Sequence, residues 1–216
     1  MLRHELTVAS ALCATALWAL PEIEDLAVTQ DKGSRMVTIS FTLTEKAIVT
    51  MDILTNGVSI GAANYQSIHD AQMDTTVFPA NKIVAPGSKI WVWRPMVDWP
   101  GHVLKNGEFE VTVKAWDFDS PPDYMVQDLV INMRRYYAST NDLPGGFDNV
   151  EYKTSKLLMR KIPAKNVVWW MGSPMRIGDE GWDTVNHVPH KVKLTEDYYA
   201  GVFELTIGQL KAADAF

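Results

Sequence analysis

From Val37 to Leu43 the chain alternates. Val37, Ile39, Phe41 and Leu43 fall on one side, and Thr38, Ser40 and Thr42 on the other. Successive side chains of a strand point to opposite faces, so this pattern predicts a half-buried β-strand. The run Ala47–Leu54 repeats it, with Ala47, Val49, Met51 and Ile53 sharing a face. Thr55-Asn56-Gly57 then supplies a turn, because Asn and Gly tolerate positive φ, and Val58–Ile60 returns as a hairpin. Further strands begin at Lys89, after Ala85-Pro86-Gly87-Ser88; at Glu108, after Asn106-Gly107; and at Tyr124, after Ser120-Pro121-Pro122-Asp123. Strands at roughly ten-residue spacing, with no helical period between them, predict an antiparallel β-sandwich from Leu26 to about Arg135.

The remainder divides around this block. Residues 1–20 (MLRHELTVASALCATALWAL) carry Arg3 and His4 ahead of an uncharged run from Leu6 to Leu20, with Ala14, Ala16 and Ala19 near its end. That is the layout of a secretory signal, and the run is short for a membrane span. The expected location is secreted, periplasmic or cell-surface, with no transmembrane span once the signal is removed. Residues 21–137 form the predicted sandwich. Residues 138–163 form a connecting segment that opens on ASTNDLPGGFDN, rich in turn formers. Residues 164–216 form a second unit.

Charge and cysteine narrow the function. The formal charge of −6 over 216 residues argues against a nucleic-acid partner, which needs a basic footprint. The single cysteine, Cys13, lies in the predicted signal, so a mature chain would hold neither a disulfide nor a thiolate site. The sequence contains no Gly-x-Gly-x-x-Gly, Walker, His-Glu-x-x-His or Gly-x-Ser-x-Gly motif.

Several side chains are candidates for binding. Asp117, Asp119 and Asp123 make an oxygen-rich loop, but its spacing lacks an EF-hand's glycine and distal glutamate, and a solvated turn is the reading adopted. Trp91, Trp93 and Trp99 would form either a platform for sugar rings or part of the core. Trp91 and Trp93, two apart on a strand, share a face, and aromatic residues dominate core burial. His69 and His102 each stand alone. Lys153, Lys156, Arg160, Lys161 and Lys165 read as one solvated face of a strand or helix.

The last fifty or so residues carry a more specific signal. Val167–Met171 is a short apolar strand broken by Gly172-Ser173-Pro174. An acidic loop follows, then alternation from His190 to Leu194, then a strand-like run from Tyr198. Thr206 is placed to cap a helix that begins at Ile207. This order resembles the opening of the sulfatase-modifying-factor family, which includes formylglycine-generating enzymes. The matching residues are Trp169, Met171, Gly172 and Ser173; Glu180, His190, Val192 and Leu194; and Tyr198, Tyr199, Glu204, Thr206 and Gln209. Pro189 directly precedes His190, where one residue often intervenes, and Leu205 replaces the usual Val.

The resemblance implies a fold class. The chain is read as mainly β: an antiparallel sandwich similar by pattern to immunoglobulin-like and fibronectin-III-like modules, then the first part of an α+β, C-type-lectin-like domain. It implies a structural role for Met171, Gly172, Ser173, His190, Val192, Leu194, Glu204 and Thr206. The family's oxidases work with a cysteine pair and copper in a later part of the domain. The chain is therefore read as an N-terminal piece, with no catalytic, cofactor or metal residue assigned and no activity of its own. The alternative is a secreted adhesion or carbohydrate-binding protein. Partners would be a protein or a glycan. A part-domain would leave Trp169, Trp170, Tyr199 and Phe203 partly uncovered, and residues after about Asn149 would be less protected from hydrogen exchange than the sandwich.

Overall fold

The computed structural model describes residues 20–73, 77–105, 107–172 and 188–214. The predicted export signal, Leu20 excepted, lies outside the described residues.

Strands β1 (Ile23–Gln30), β2 (Val37–Leu43), β3 (Ala47–Thr55), β4 (Val58–Ser59), β5 (His69–Asp70), β6 (Lys82–Val84), β7 (Gly87–Trp93) and β8 (Glu110–Trp116) make two antiparallel sheets. The first runs β1-β2-β7-β5. In the second, β3 pairs with β8 along one edge, from Ile48 to Leu54. Its other edge takes β6 over Ala47–Val49 and β4 over Leu54–Thr55. The alternating positions of β2 and β3 meet in one apolar cluster with Trp91, Trp93 and Val111. Phe41 lies edge-on to Trp91 at 4.8 Å between ring centroids. Asn56 and Gly57 both take positive φ in the β3–β4 turn, as that dipeptide requires.

β3 lacks a continuous partner on its β4/β6 edge, and Asn81 fills the interval. Its backbone N–H donates to Val49 O at 2.6 Å, and its Oδ1 accepts from Met51 N at 3.3 Å. Asn81 sits at φ 59°, a left-handed conformation that Asn tolerates. Its carbonyl accepts from Tyr136 N at 2.8 Å, which ties the second sheet to a third.

That third sheet comprises β9 (Tyr124–Asp128), β10 (Met133–Tyr137), β11 (Lys156–Ile162) and β14 (Tyr198–Gly201), in the order β10-β9-β11-β14. β12 (Val168–Met171) and β13 (His190–Lys193) form a separate antiparallel pair. Helices α1 (Pro95–Asp98) and α2 (Ile207–Ala213) are short.

The third sheet crosses the sequence-derived boundary. Tyr124–Asp128, assigned from strand spacing to the first unit, pairs with Lys156–Arg160 of the predicted connection, and Met159–Ile162 pairs in turn with Tyr198–Gly201 of the second unit. β11 escaped the period-two reading because Leu157-Leu158-Met159 is a continuous apolar run, in which Leu158 packs in one apolar cluster and Met159, on the opposite face, beside another. Its basic residues are partly paired, with Lys156 Nζ 2.9 Å from Glu151 and Lys161 Nζ 3.2 Å from Asp123. Ile48, Met125 and Tyr136 bury the contact between the second and third sheets, with Trp116, Met159 and Tyr199 packed around them.

Candidate functional site

Apart from Tyr198 and Tyr199 on β14, the described residues matching the family motif fall at two places. The first is the β12–β13 pair, where Met171 stands opposite His190 and Trp169 opposite Val192. Gly172 follows at φ 128°, and a Cβ there would lie 2.8 Å from Pro189 Cα and 2.9 Å from Val188 O. Only a residue without a side chain permits that approach, so the glycine of the motif has a steric reason. His190 is exposed, and its Nδ1, 3.0 Å from Val188 O, is the protonated nitrogen of that bond. Val192 and Leu194 are half-buried, and Leu194 bridges to Lys165. Ser173 and Glu180 lie outside the described residues.

The second place is the start of α2. Thr206 caps it: its hydroxyl accepts from Gln209 N at 3.2 Å and donates to Lys153 O at 2.7 Å. Gln209 completes a reciprocal capping box, its Oε1 accepting from Thr206 N at 2.9 Å. Gln209 Nε2 also donates to Tyr152 O at 2.8 Å and Lys156 O at 2.7 Å. The result inverts the usual helix face. Gln209 is 2 % exposed, whereas Ile207 and Leu210 are 72 % and 49 % exposed. Glu204 is exposed, and among the described residues it approaches neither His190 nor another carboxylate within ion-pair or hydrogen-bond distance.

The other candidates resolve differently. Trp91 and Trp93 are both 0 % exposed, which removes them as a sugar platform. They face the shared core because the face they occupy on β7 is the one opposed to β3. Trp93 Nε1 donates to Asp98 Oδ2 at 3.0 Å, and that carboxylate also takes Ser67. Trp91 Nε1 is buried without a partner among the described residues. Trp99 is half-buried and stacks on His102 at 3.8 Å. His69 bonds locally to Ser67 O. Asp117 accepts from Ser120 N at 2.6 Å, the turn geometry expected of it. No group of three or more potential metal ligands occurs among the described residues, and none of the described helices is long and apolar enough to cross a membrane.

The sequence did not single out a cleft on the outer face of the β3–β8 pair. Thr50 and Asp52 of β3 stand opposite Lys114 and Thr112 of β8, and Tyr137, Ala138 and Asp142 close the far side. Trp116 Nε1 donates to Thr50 Oγ1 at 2.7 Å, which fixes the indole, and Lys114 Nζ lies 3.7 Å from its ring centroid. Asp52 Oδ1 accepts from Ile53 N at 2.8 Å and Ser59 Oγ at 2.7 Å. Burial pushes the Asp52 carboxyl above the usual range, and the nearby Asp142 charge adds to that. Burial raises the Tyr137 phenol to about 12. These residues lie far apart in sequence, and the one available signal was the polar set Thr50, Asp52, Thr112 and Lys114 on the faces opposite the apolar alternation.

No family model, curated protein or solved structure matches the chain.

Proposed function

We propose that this chain belongs to an exported protein in which a β-sandwich module leads into a sulfatase-modifying-factor-like, C-type-lectin-like domain. In this reading the residues from Val167 onward are opening elements of that domain. They serve as scaffold and binding surface, and the cysteine-dependent oxidation of the family's enzymes is not assigned to them. The partners expected of such a protein are another protein or a glycan.

One observation carries the reading. Gly172 seats against Pro189 immediately beside the Met171–His190 pair, so the motif's glycine is demanded by the packing of the two strands that hold Trp169, Met171, His190 and Val192. The capping box of Thr206 and Gln209 supports it further, since it gives the motif's last two polar residues a joint task at a helix start. The apolar surface around these elements is also that of a part awaiting cover. Val168, Trp170, Met171 and Leu205 are each more than half exposed, at 56 %, 67 %, 57 % and 61 %.

The test is to sequence the locus through the codon for Phe216 and to express the open frame found there. The reading expects an in-frame continuation of Gly-, Trp- and Arg-rich strands. In the longer product the Trp170 indole should be shielded from acrylamide, while in the 216-residue chain it is quenched. A frame that closes, or a continuation that leaves Trp170 equally quenchable, overturns it.

A further inference from the structure

We propose that the cleft between Trp116 and Asp142 binds one sugar ring, free or at the end of a glycan. The argument stands on unmet hydrogen-bonding capacity around a space of fitting size. The cleft holds about 270 Å³. That is roughly nine water volumes at ~30 Å³ each, and it falls just below the ~300–1,000 Å³ of sites for drug-sized ligands. A single polyol ring suits it.

Donors and acceptors both face this space unpaired. Asn81 is 4 % exposed and Tyr137 6 %, and both line the cleft. Neither the Asn81 Nδ2 amide nor the Tyr137 hydroxyl is hydrogen-bonded within the protein among the described residues, because the bonds of Asn81 run through its Oδ1 and backbone. Both atoms keep contact with solvent, since Trp91 Nε1 is the one fully buried polar side-chain atom left unpaired among the described residues, and a ligand in the cleft would exchange their water bonds for its own. On the acceptor side, the bonds of Asp52 all go to Oδ1 and those of Asp142 to Oδ2. One oxygen of each carboxylate is thereby left for a ligand.

The mixture selects the chemistry. A simple cation would answer the two carboxylates, but it offers no acceptor to Asn81 Nδ2, and the Lys114 ammonium already stands at the rim. An anion would meet Asp52 and Asp142. Hydroxyl groups donate and accept at once, and a ring bearing several of them can satisfy carboxylates and an amide together. Trp116, held by Thr50 and covered on one face by the Lys114 ammonium, lines the cleft with its remaining apolar surface. This site is independent of the family reading, since none of its residues belongs to the motif.

The test follows the Trp116 indole N–H resonance of the full chain during titration with glucose, galactose, mannose and N-acetylglucosamine, and with oligosaccharides ending in each. The expected result is a saturable shift with at least one of them. Asp142→Asn keeps an oxygen to cap Ser139, and it should weaken binding about tenfold or more, the value of a hydrogen bond to a charged group. Met96→Ala, on α1 and outside the cleft, should leave binding unchanged. The proposal is overturned by the absence of a saturable shift with every sugar, by equal binding in Asp142→Asn, or by a shift seen with putrescine and with no sugar.

Discussion

The Asn81 side chain completes the β-ladder of Met51. Its Oδ1 accepts the Met51 N–H at 3.3 Å in the interval between β6 and β4, where a peptide carbonyl would otherwise stand. Both residues are buried, at 4 % exposure each, and the bond closes the ladder at the wall of the Thr50–Asp142 cleft. Asn81→Ala leaves a buried N–H unpaired, which costs about 1–3 kcal/mol. It also puts a Cβ-bearing residue without a local hydrogen bond at φ 59°, which adds about 1–2 kcal/mol. Asn81→Gly removes the second cost and keeps the first. Urea unfolding should therefore rank the variants wild type, Asn81→Gly, Asn81→Ala in falling stability, and equal losses in the two would show that the backbone conformation does not matter.

Trp91 and Trp93 look equivalent by burial and differ in their indole nitrogens. Trp93 Nε1 donates to Asp98, whereas Trp91 Nε1 has no partner among the described residues. Replacement by Phe removes similar volume at each. At Trp93 it also removes a bond to a carboxylate, worth about 1.5–3 kcal/mol. At Trp91 it relieves an orphaned donor. Trp93→Phe should thus destabilise more than Trp91→Phe by about 1.5 kcal/mol or more. Thermal unfolding decides this, and a larger loss at Trp91 would contradict the assignment.

The early strands were legible because each has one buried face. Val37, Ile39, Phe41 and Leu43 are at most 2 % exposed, so the period of two was a direct trace of the core. The Thr206 cap was equally legible, since it depends on residues within one helical turn. β11 was not, because apolar clusters lie against both of its faces, with Leu158 in one and Met159 beside the other, and that erases the alternation. The cleft was invisible for another reason. Asp52, Asn81, Trp116 and Asp142 converge only through pairing of β3 with β8 and the hook of Tyr136 onto Asn81. Such convergence is set by sheet register and leaves no local pattern in the chain.

Stability should fall at alkaline pH in a way the tyrosines specify. An unfolded tyrosine ionises near 10. Burial holds Tyr137 near 12 and pushes Tyr65, Tyr152 and Tyr199 higher still. The raised native values mean that the folded state keeps its protons longer. The stabilisation is complete below pH ~10 and is lost as pH climbs towards the native values. Above pH ~10 each such tyrosine steepens the loss by up to ~1.4 kcal/mol per pH unit. Tyrosinate absorbance should rise in step with loss of near-ultraviolet ellipticity, and Tyr137→Phe should shallow the slope between pH ~10 and 12. A full tyrosinate signal from a still-folded chain would refute this.

Asp52 acts in the same sense in the acid range. Burial raises its carboxyl above the ordinary range, so ionisation at neutral pH costs stability. Asp52→Asn keeps an oxygen for Ile53 N and Ser59 Oγ and removes the charge. The variant should melt higher than wild type at pH 7. The gain should shrink as pH falls through the native value of Asp52, and vanish below the unfolded value of ~3.9, where the carboxyl is neutral in both states. A gain that persists undiminished at pH 3 would mean that charge is not its source.

The chain's later half should divide into well-protected and poorly protected parts. β11 lies between β9 and β14, and Leu158 within it is 2 % exposed, so its amides should exchange slowly. Among the described residues β12 and β13 pair with each other alone, and a two-stranded unit is marginal in water. Their amides should exchange fast, which narrows the sequence-based expectation for residues after Asn149 to this hairpin. α2 depends on Gln209, whose amide satisfies the Tyr152 and Lys156 carbonyls while Ile207 and Leu210 stay in solvent. Gln209→Leu strands two carbonyls under an apolar side chain, at about 1–3 kcal/mol each. The helix has little else to hold it, so the loss should appear mainly as faster exchange across Ile207–Ala213, with β11 slowed or unchanged. Exchange rising equally in β11 and α2 would show instead that the helix is part of one cooperative unit with the third sheet.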